Sequence, residues 1–482
     1  MPVNAYSIPS YSVYHPAPVK TVVRSSAEFW GRLFIAVVIG IWALAFIIGF
    51  QASLALLTLA AFGAAIIGLR HPIPGLLGVG MLCTLDALTR VFLLSGGLWR
   101  WNTFNYWLLF VIVTSLADLA KLKDTQTRVA KLLLLLLGIE LVISQQWVNG
   151  IQHLLNITAL FGLIVYFMRA RQDKQIWFWL GLVNGTLGAV GSLVFYLQKD
   201  KLQYINPNAL AFFSATAIFA ICLGFHFAEN RRIGQPVLLI LAAVNYVWIF
   251  LSASRGDLLI GTFCMLFLTL SGRSLLKRSA YVVIAVLMGI ALSNQFGNLQ
   301  ANTLRRIDKL LDKQESAVSR TSGRSDLALG GWYIFLEHPL GVGTGSFAPE
   351  WARLNNASLS GYKQGTEMAA HSGWIKILAE NGVPGILLLA GFVLSFSVSG
   401  WRQRSQGLFL PGLLATGVLG VAFLSTEFQA KGLWFLAAGV IVLLASRDSV
   451  QRLSMLILQI IVAKRLRART NRPRLIPNAN RV

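Results

Sequence analysis

The chain has 482 residues, 55% of them apolar and 13% charged, with 42 Lys and Arg against 19 Asp and Glu and a formal net charge of +23; mean hydropathy is +0.64. Soluble domains carry about a quarter of their residues as charges, so a soluble globular enzyme is excluded. The basic excess is spread along the chain in short runs, which excludes a nucleic-acid-binding patch and leaves an all-α polytopic membrane protein.

Residues 1–30 have no apolar run beside a basic start and no small-residue cleavage site, so they predict a cytoplasmic tail rather than a removed signal. Stretches of span length then begin near Phe34, Ser53, Pro74, Phe104, Val129, Ile151, Ile176, Asn208, Pro236, Leu258 and Ala280, within a membrane domain over 31–294. After a polar interval over 295–383, further spans begin near Pro384, Leu408 and Gly432, over 384–447, and a basic tail follows over 448–482. The pattern predicts about 12–14 transmembrane helices. Lys and Arg collect in alternate connections, at 121–131, 169–174, 230–232, 272–278, 401–404 and 464–469, whereas the short opposite ones hold Arg100, Lys199, Lys201, Arg255 and Lys431. Cytoplasmic loops are the basic ones, so the 295–383 interval is one long outward-facing helical loop, and the basic face meets anionic lipid headgroups. Val450 to Arg469 is apolar on one side and predicts a helix lying along that inner surface.

Inside the spans, Cys83, Cys222 and Cys264 lack metal-ligand spacing and read as small buried hydrophobes. Asp86 and Arg90, four apart on one helix face, form either a structural pair or part of a substrate path. Asp118 and Glu140 fall near span ends. In the polar interval, Leu304, Ile307, Leu310, Leu311 and Val318 recur at helical spacing. Ser325 to Phe335 predicts a second helix, with Ser325 as N-cap and Trp332 and Phe335 on its apolar side. A turn with Gly341, Gly343 and Gly345 follows, whose amides form either a nest for phosphate oxygens or a plain loop. His371 and Ser372 open a third helix, which Gly382 and Pro384 end. Taken singly, Arg255 reads as a boundary arginine, Arg324 as a surface ion-pair partner and His371 as an exposed or capping histidine.

Their order changes that reading. Arg255-Gly256 follows a span, Arg324 comes later, then the turn from Pro339 to Gly343, then His371-Ser372 with Glu380, Gly382 and Gly385. This series resembles the O-antigen ligase and O-antigen polymerase superfamily of bacterial envelope glycosyltransferases, and Asn206, Pro207 and Asn208 resemble its Asn-Pro-Asn at a span entry. The resemblance covers roughly Ile205 to Gly385. It implies transfer of a glycan from a polyprenyl (undecaprenyl) diphosphate carrier to a hydroxyl of a glycan or lipid acceptor, on the periplasmic face of the bacterial inner membrane, with no cofactor and no metal. It also implies His371 as catalytic base, Arg255, Arg324 and Lys201 on the diphosphate, and Asn208, Gly341, Gly343 and Glu380 in support. Two departures stand out: Ser372 occupies a position more often Asn, and Lys199 and Lys201 stand where many ligases have an arginine. The alternative from a different class is a solute transporter, for example of inorganic carbon, or a lipid-linked substrate carrier, which would place function at Asp86, Arg90, Asp118 and Glu140.

Overall fold

The computed structural model describes residues 22–92, 103–120, 122–170, 174–198, 207–227, 234–252, 254–271, 283, 324–355, 368–425 and 430–445. Regular structure among them is helical: α1 (Val22–Ile48), α2 (Phe50–Ile67), α3 (Pro72–Phe92), α4 (Thr103–Thr114), α5 (Leu116–Ala120), α6 (Thr125–Glu140), α7 (Trp147–Ala170), α8 (Lys174–Leu197), α9 (Pro207–Phe227), α10 (Gly234–Leu251), α11 (Arg255–Leu270), α12 (Arg324–Glu337), α13 (Phe347–Asn355), α14 (Gly373–Arg402), α15 (Phe409–Ser425) and α16 (Lys431–Ala445). Eight of the described helices are long and apolar enough to cross a membrane, with α15 and α16 as shorter apolar helices, so the chain is a multi-pass membrane protein. Every predicted span falls on a helix except that from Ala280, which lies outside the described residues, as do the predicted surface helices near Leu304 and Val450. The first helix reaches back to Val22, so the structured part begins inside the predicted tail.

Lipid supplies no hydrophobic drive between helices, so close packing and polar contacts hold the bundle together. The α14–α15 hairpin closes where a Cβ on Gly400 would lie 3.1 Å from the Cα of Gly412. Buried side chains tie helices together: Thr84 Oγ1 to Asn184 Oδ1 at 3.0 Å, Ser192 to Ser214 at 3.1 Å, and Asn245 Nδ2 to the Gly185 carbonyl at 3.0 Å.

Lys431 is one of these ties and not the boundary residue predicted: it is 0% exposed. Its Nζ donates to Asn156 Oδ1 at 2.5 Å, which also accepts from Asn105 Nδ2 at 2.9 Å. Asp86 is buried too, and both it and Lys431 act electrostatically on Cys83. A buried charge is tolerated where polar partners replace water, and Asn156 is such a partner for Lys431.

The described part of the predicted loop folds into a cap with its own small core of Leu327, Ile334, Phe347, Trp351, Ala370 and Ala379, built from α12, α13 and the start of α14. Two local expectations are corrected. Ser325 is the second residue of α12, which starts at Arg324. The buried face of that helix carries Leu327, Gly330, Gly331 and Ile334, whereas Trp332 is exposed and pairs with Phe335 at 5.3 Å. The glycines decide the face: a Cβ would meet Trp351 at 2.0 Å from Gly330 and Ile375 at 2.3 Å from Gly331. The predicted third helix starts at Gly373 and breaks at Gly382 (φ 58, ψ −151), after which α14 continues to Arg402.

Candidate functional site

Arg255 is the first residue of α11, behind Ser254 in extended conformation. Ser254 Oγ donates to Asp257 Oδ2 at 2.6 Å, which ties the residue before the helix to a carboxylate in its first turn. Its neighbour Gly256 packs directly on the end of α15, where an added Cβ would come within 2.3 Å of Ser425 Oγ. The Arg255 side chain is half-buried there.

His371 reaches the same helix end from the other side. Ser372 (φ −146, ψ 123) is the N-cap of α14, accepting from the Ile375 amide at 3.5 Å while donating to the Phe423 carbonyl at 3.0 Å. Trp374 Nε1 donates to the Gly420 carbonyl at 2.9 Å, and its ring meets Phe423 edge-on at 6.2 Å. Thus the departure at Ser372 has a use: one hydroxyl caps α14 and ties it to the last turn of α15. His371 stands just before this cap, exposed, with φ +52, a left-handed conformation in which His, Asn and Asp are the enriched non-glycine residues. Gly420, Phe423 and Ser425 therefore lie between the helix that begins with Arg255 and the one that begins after His371.

Arg324, exposed at the start of α12, joins this end of the bundle: its guanidinium acts electrostatically on the buried Asp257 carboxylate. Among the described residues Arg324 makes no salt bridge, whereas Arg353 pairs with both Glu337 and Glu350. Asp257 was missed by the sequence reading, although the Ser254-x-x-Asp257 spacing was a signal for it. Its Oδ1 is buried without a hydrogen-bond partner among the described residues, and its Oδ2 accepts from Ser254.

The glycine turn does not present an open nest. Its amides donate to carbonyls: Gly341 to His338 at 2.8 Å, Val342 to Ala379 at 3.2 Å, Gly343 to Glu380 at 2.9 Å and Ser346 to Gly343 at 3.1 Å. Gly341 has φ +97, and a Cβ there would lie 2.3 Å from the Glu380 carbonyl oxygen. From the turn, Thr344 Oγ1 donates to the Leu137 carbonyl at 3.1 Å and accepts from Asn381 Nδ2 at 2.9 Å; Asn381 also donates to Glu140. Ser346 Oγ accepts from the Gln145 amide at 3.0 Å. Glu380, 2% exposed, accepts from the Phe347 amide through Oε1 at 3.1 Å and so caps α13. Gly341, Gly343 and Glu380 buckle the kink of α14 to the corner between α6 and α7, which fixes where His371 stands.

Asn208, exposed as the second residue of α9, enters from the same end as Arg255. Cys222 Sγ reaches the Cys264 carbonyl at 3.8 Å, which sets α9 and α11 in register, with α10 returning between them. Lys201 and the Arg90 side chain lie outside the described residues. Asp118 is in α5 and Glu140 ends α6.

Residues 236–390 match the family model described as O-antigen ligase. That segment runs from the start of α10 into α14 and includes Arg255, Asp257, Arg324 and His371. No curated protein matches the chain.

Proposed function

From the match of residues 236–390 to the O-antigen ligase family model, we propose that this chain is a membrane glycosyltransferase of the O-antigen ligase/polymerase type and transfers a glycan from undecaprenyl diphosphate to a hydroxyl acceptor, without a metal and with inversion. The observation that carries the reading is that the starts of α11 and α14, next to Arg255 and His371, both pack on the last turn of α15, while Arg324 acts electrostatically on Asp257 of α11. The acceptor oxygen attacks the anomeric carbon as the bond from that carbon to the diphosphate oxygen breaks. The hydroxyl proton passes to the imidazole of His371, and the polyprenyl diphosphate leaves with the electron pair of the broken bond. Negative charge grows on that leaving group, and the guanidinium groups of Arg255 and Arg324 stabilise it. Displacement at one centre inverts the anomeric configuration.

Arg324→Lys tests the diphosphate contact. Lysine keeps the charge and loses the second bond of the guanidinium fork, a loss of about 1.5–3 kcal/mol for a hydrogen bond to a charged group. The expected result is kcat/KM for the donor lowered about tenfold or more, measured at equal expression; an unchanged value would remove Arg324 from the diphosphate site.

The site faces the periplasm in this reading, with the basic connections on anionic lipid at the cytoplasmic face. Alkaline phosphatase fused after Gly361 is expected to be active and fused after Lys123 inactive. The reverse pattern would overturn the orientation.

A further inference from the structure

The group around His371 accounts for the donor and the proton but gives the acceptor no seat. We propose that a polar cavity of about 210 Å³ between α7 and the cap is the subsite for the acceptor's sugar ring, an inference that rests on the transfer reading above. Asn149, Gln152 and His153 line it from α7, Lys376 and Glu380 from α14, and Phe347 from α13. Residues three and four apart share a helix face, so α7 and α14 each turn one polar face to this cavity. It also adjoins the proposed base: Met368 and Ala369, in the strand of chain leading into His371, form part of its lining.

The chemistry of the lining selects its occupant. His153 and Lys376 are each 6% exposed and Glu380 2%, so the polar groups sit at the floor of a built site and not on a solvated rim. One lysine against one glutamate leaves no excess positive charge for a diphosphate. Amides both donate and accept, as do sugar hydroxyls, and a few placed polar groups beside an apolar wall are the usual make-up of a small-molecule pocket. Two of the groups are already held: the Asn149 amide donates to Gln146 Oε1, and Glu380 Oε1 accepts from the Phe347 amide at 3.1 Å. Such preorganisation reduces the entropy lost on binding. The size suits one ring, which makes the subsite a reader of the acceptor's terminal sugar.

Saturation-transfer-difference NMR on the full-length protein in detergent tests this, with the methyl glycosides of glucose, galactose and N-acetylglucosamine, and with inorganic pyrophosphate. At least one glycoside is expected to bind wild type and not to be displaced by pyrophosphate. Asn149→Ala combined with Gln152→Ala should weaken that glycoside about tenfold, from the loss of its hydrogen bonds. Ala348→Trp, which fills the cavity from its α13 wall without removing a polar group, should abolish glycoside binding. Both variants should bind pyrophosphate as wild type does, which also reports that they are folded. A wild type that takes no glycoside yet binds pyrophosphate through Arg324 would overturn the subsite and leave the transfer reading standing. Glycoside displaced by pyrophosphate, or bound unchanged in Ala348→Trp, would overturn it as well. Pyrophosphate binding that does not depend on Arg324 would instead count against the donor site.

Discussion

Replacing His371 with asparagine is expected to slow glycan transfer by about 10²–10⁴-fold, the usual cost of removing a general base, while donor binding and thermal stability stay close to wild type. Asparagine suits the test because the backbone at this position has φ +52, a conformation that asparagine adopts more readily than most residues. Its amide cannot take up the acceptor's proton. The cap of α14 is untouched, since Ser372 supplies it and anchors the helix to Phe423. The arginines proposed to hold the donor start two other helices, so binding and chemistry are expected to separate. Transfer at the wild-type rate would move the base to another residue. Loss of folding with loss of transfer would make His371 part of the scaffold.

The second large effect is structural. Gly382→Ala should destabilise the protein by at least about 3 kcal/mol and abolish transfer with it. The backbone at Gly382 has φ 58 and ψ −151, a region open essentially to glycine alone. A Cβ there would lie 2.2 Å from the Pro339 carbonyl oxygen and 2.5 Å from the Leu340 carbonyl carbon. These are backbone atoms of the glycine turn and have no rotamer by which to yield. The amide of the next residue, Val383, donates to the same Pro339 oxygen at 3.1 Å, so the clash would open the junction between turn and kink. The helix that carries the Ser372 cap would lose its anchor at that junction. Gly391→Ala, where the nearest atom would be 3.9 Å from the new Cβ, is the matched control and is expected to be neutral. Thermal unfolding in detergent distinguishes the two; equal melting temperatures would contradict the buckle.

These two residues also mark where sequence was informative. Gly382 and Pro384 announce a break because of their own backbone limits, and Ser372 announces a helix start because its side chain can satisfy an amide; both signals are local. The face of α12 was not legible, since Leu327 and Ile334 on one side and Trp332 and Leu336 on the other are all apolar. The choice came from Gly330 and Gly331, through partners at Trp351 and Ile375 that periodicity does not reveal. Positive φ at Gly341 and Gly343 follows from a glycine-rich turn, but what the Val342 and Gly343 amides meet does not: their acceptors are the carbonyls of Ala379 and Glu380. Lys431 looked like a boundary lysine because its partner, Asn156, is 275 positions away in the chain. Asp257 was within reach, three residues after Ser254, and was passed over for the arginine beside it.

The reaction proposed for this chain breaks the bond between a glycan and a polyprenyl diphosphate. Purified wild-type protein, given a labelled glycan on undecaprenyl diphosphate and a hydroxyl acceptor, is predicted to form undecaprenyl diphosphate and glycosylated acceptor in equal amounts, in a reaction lost in His371→Asn. Recovery of the donor intact from the wild-type reaction, with the same protein in sealed vesicles moving a solute across the membrane, would contradict it.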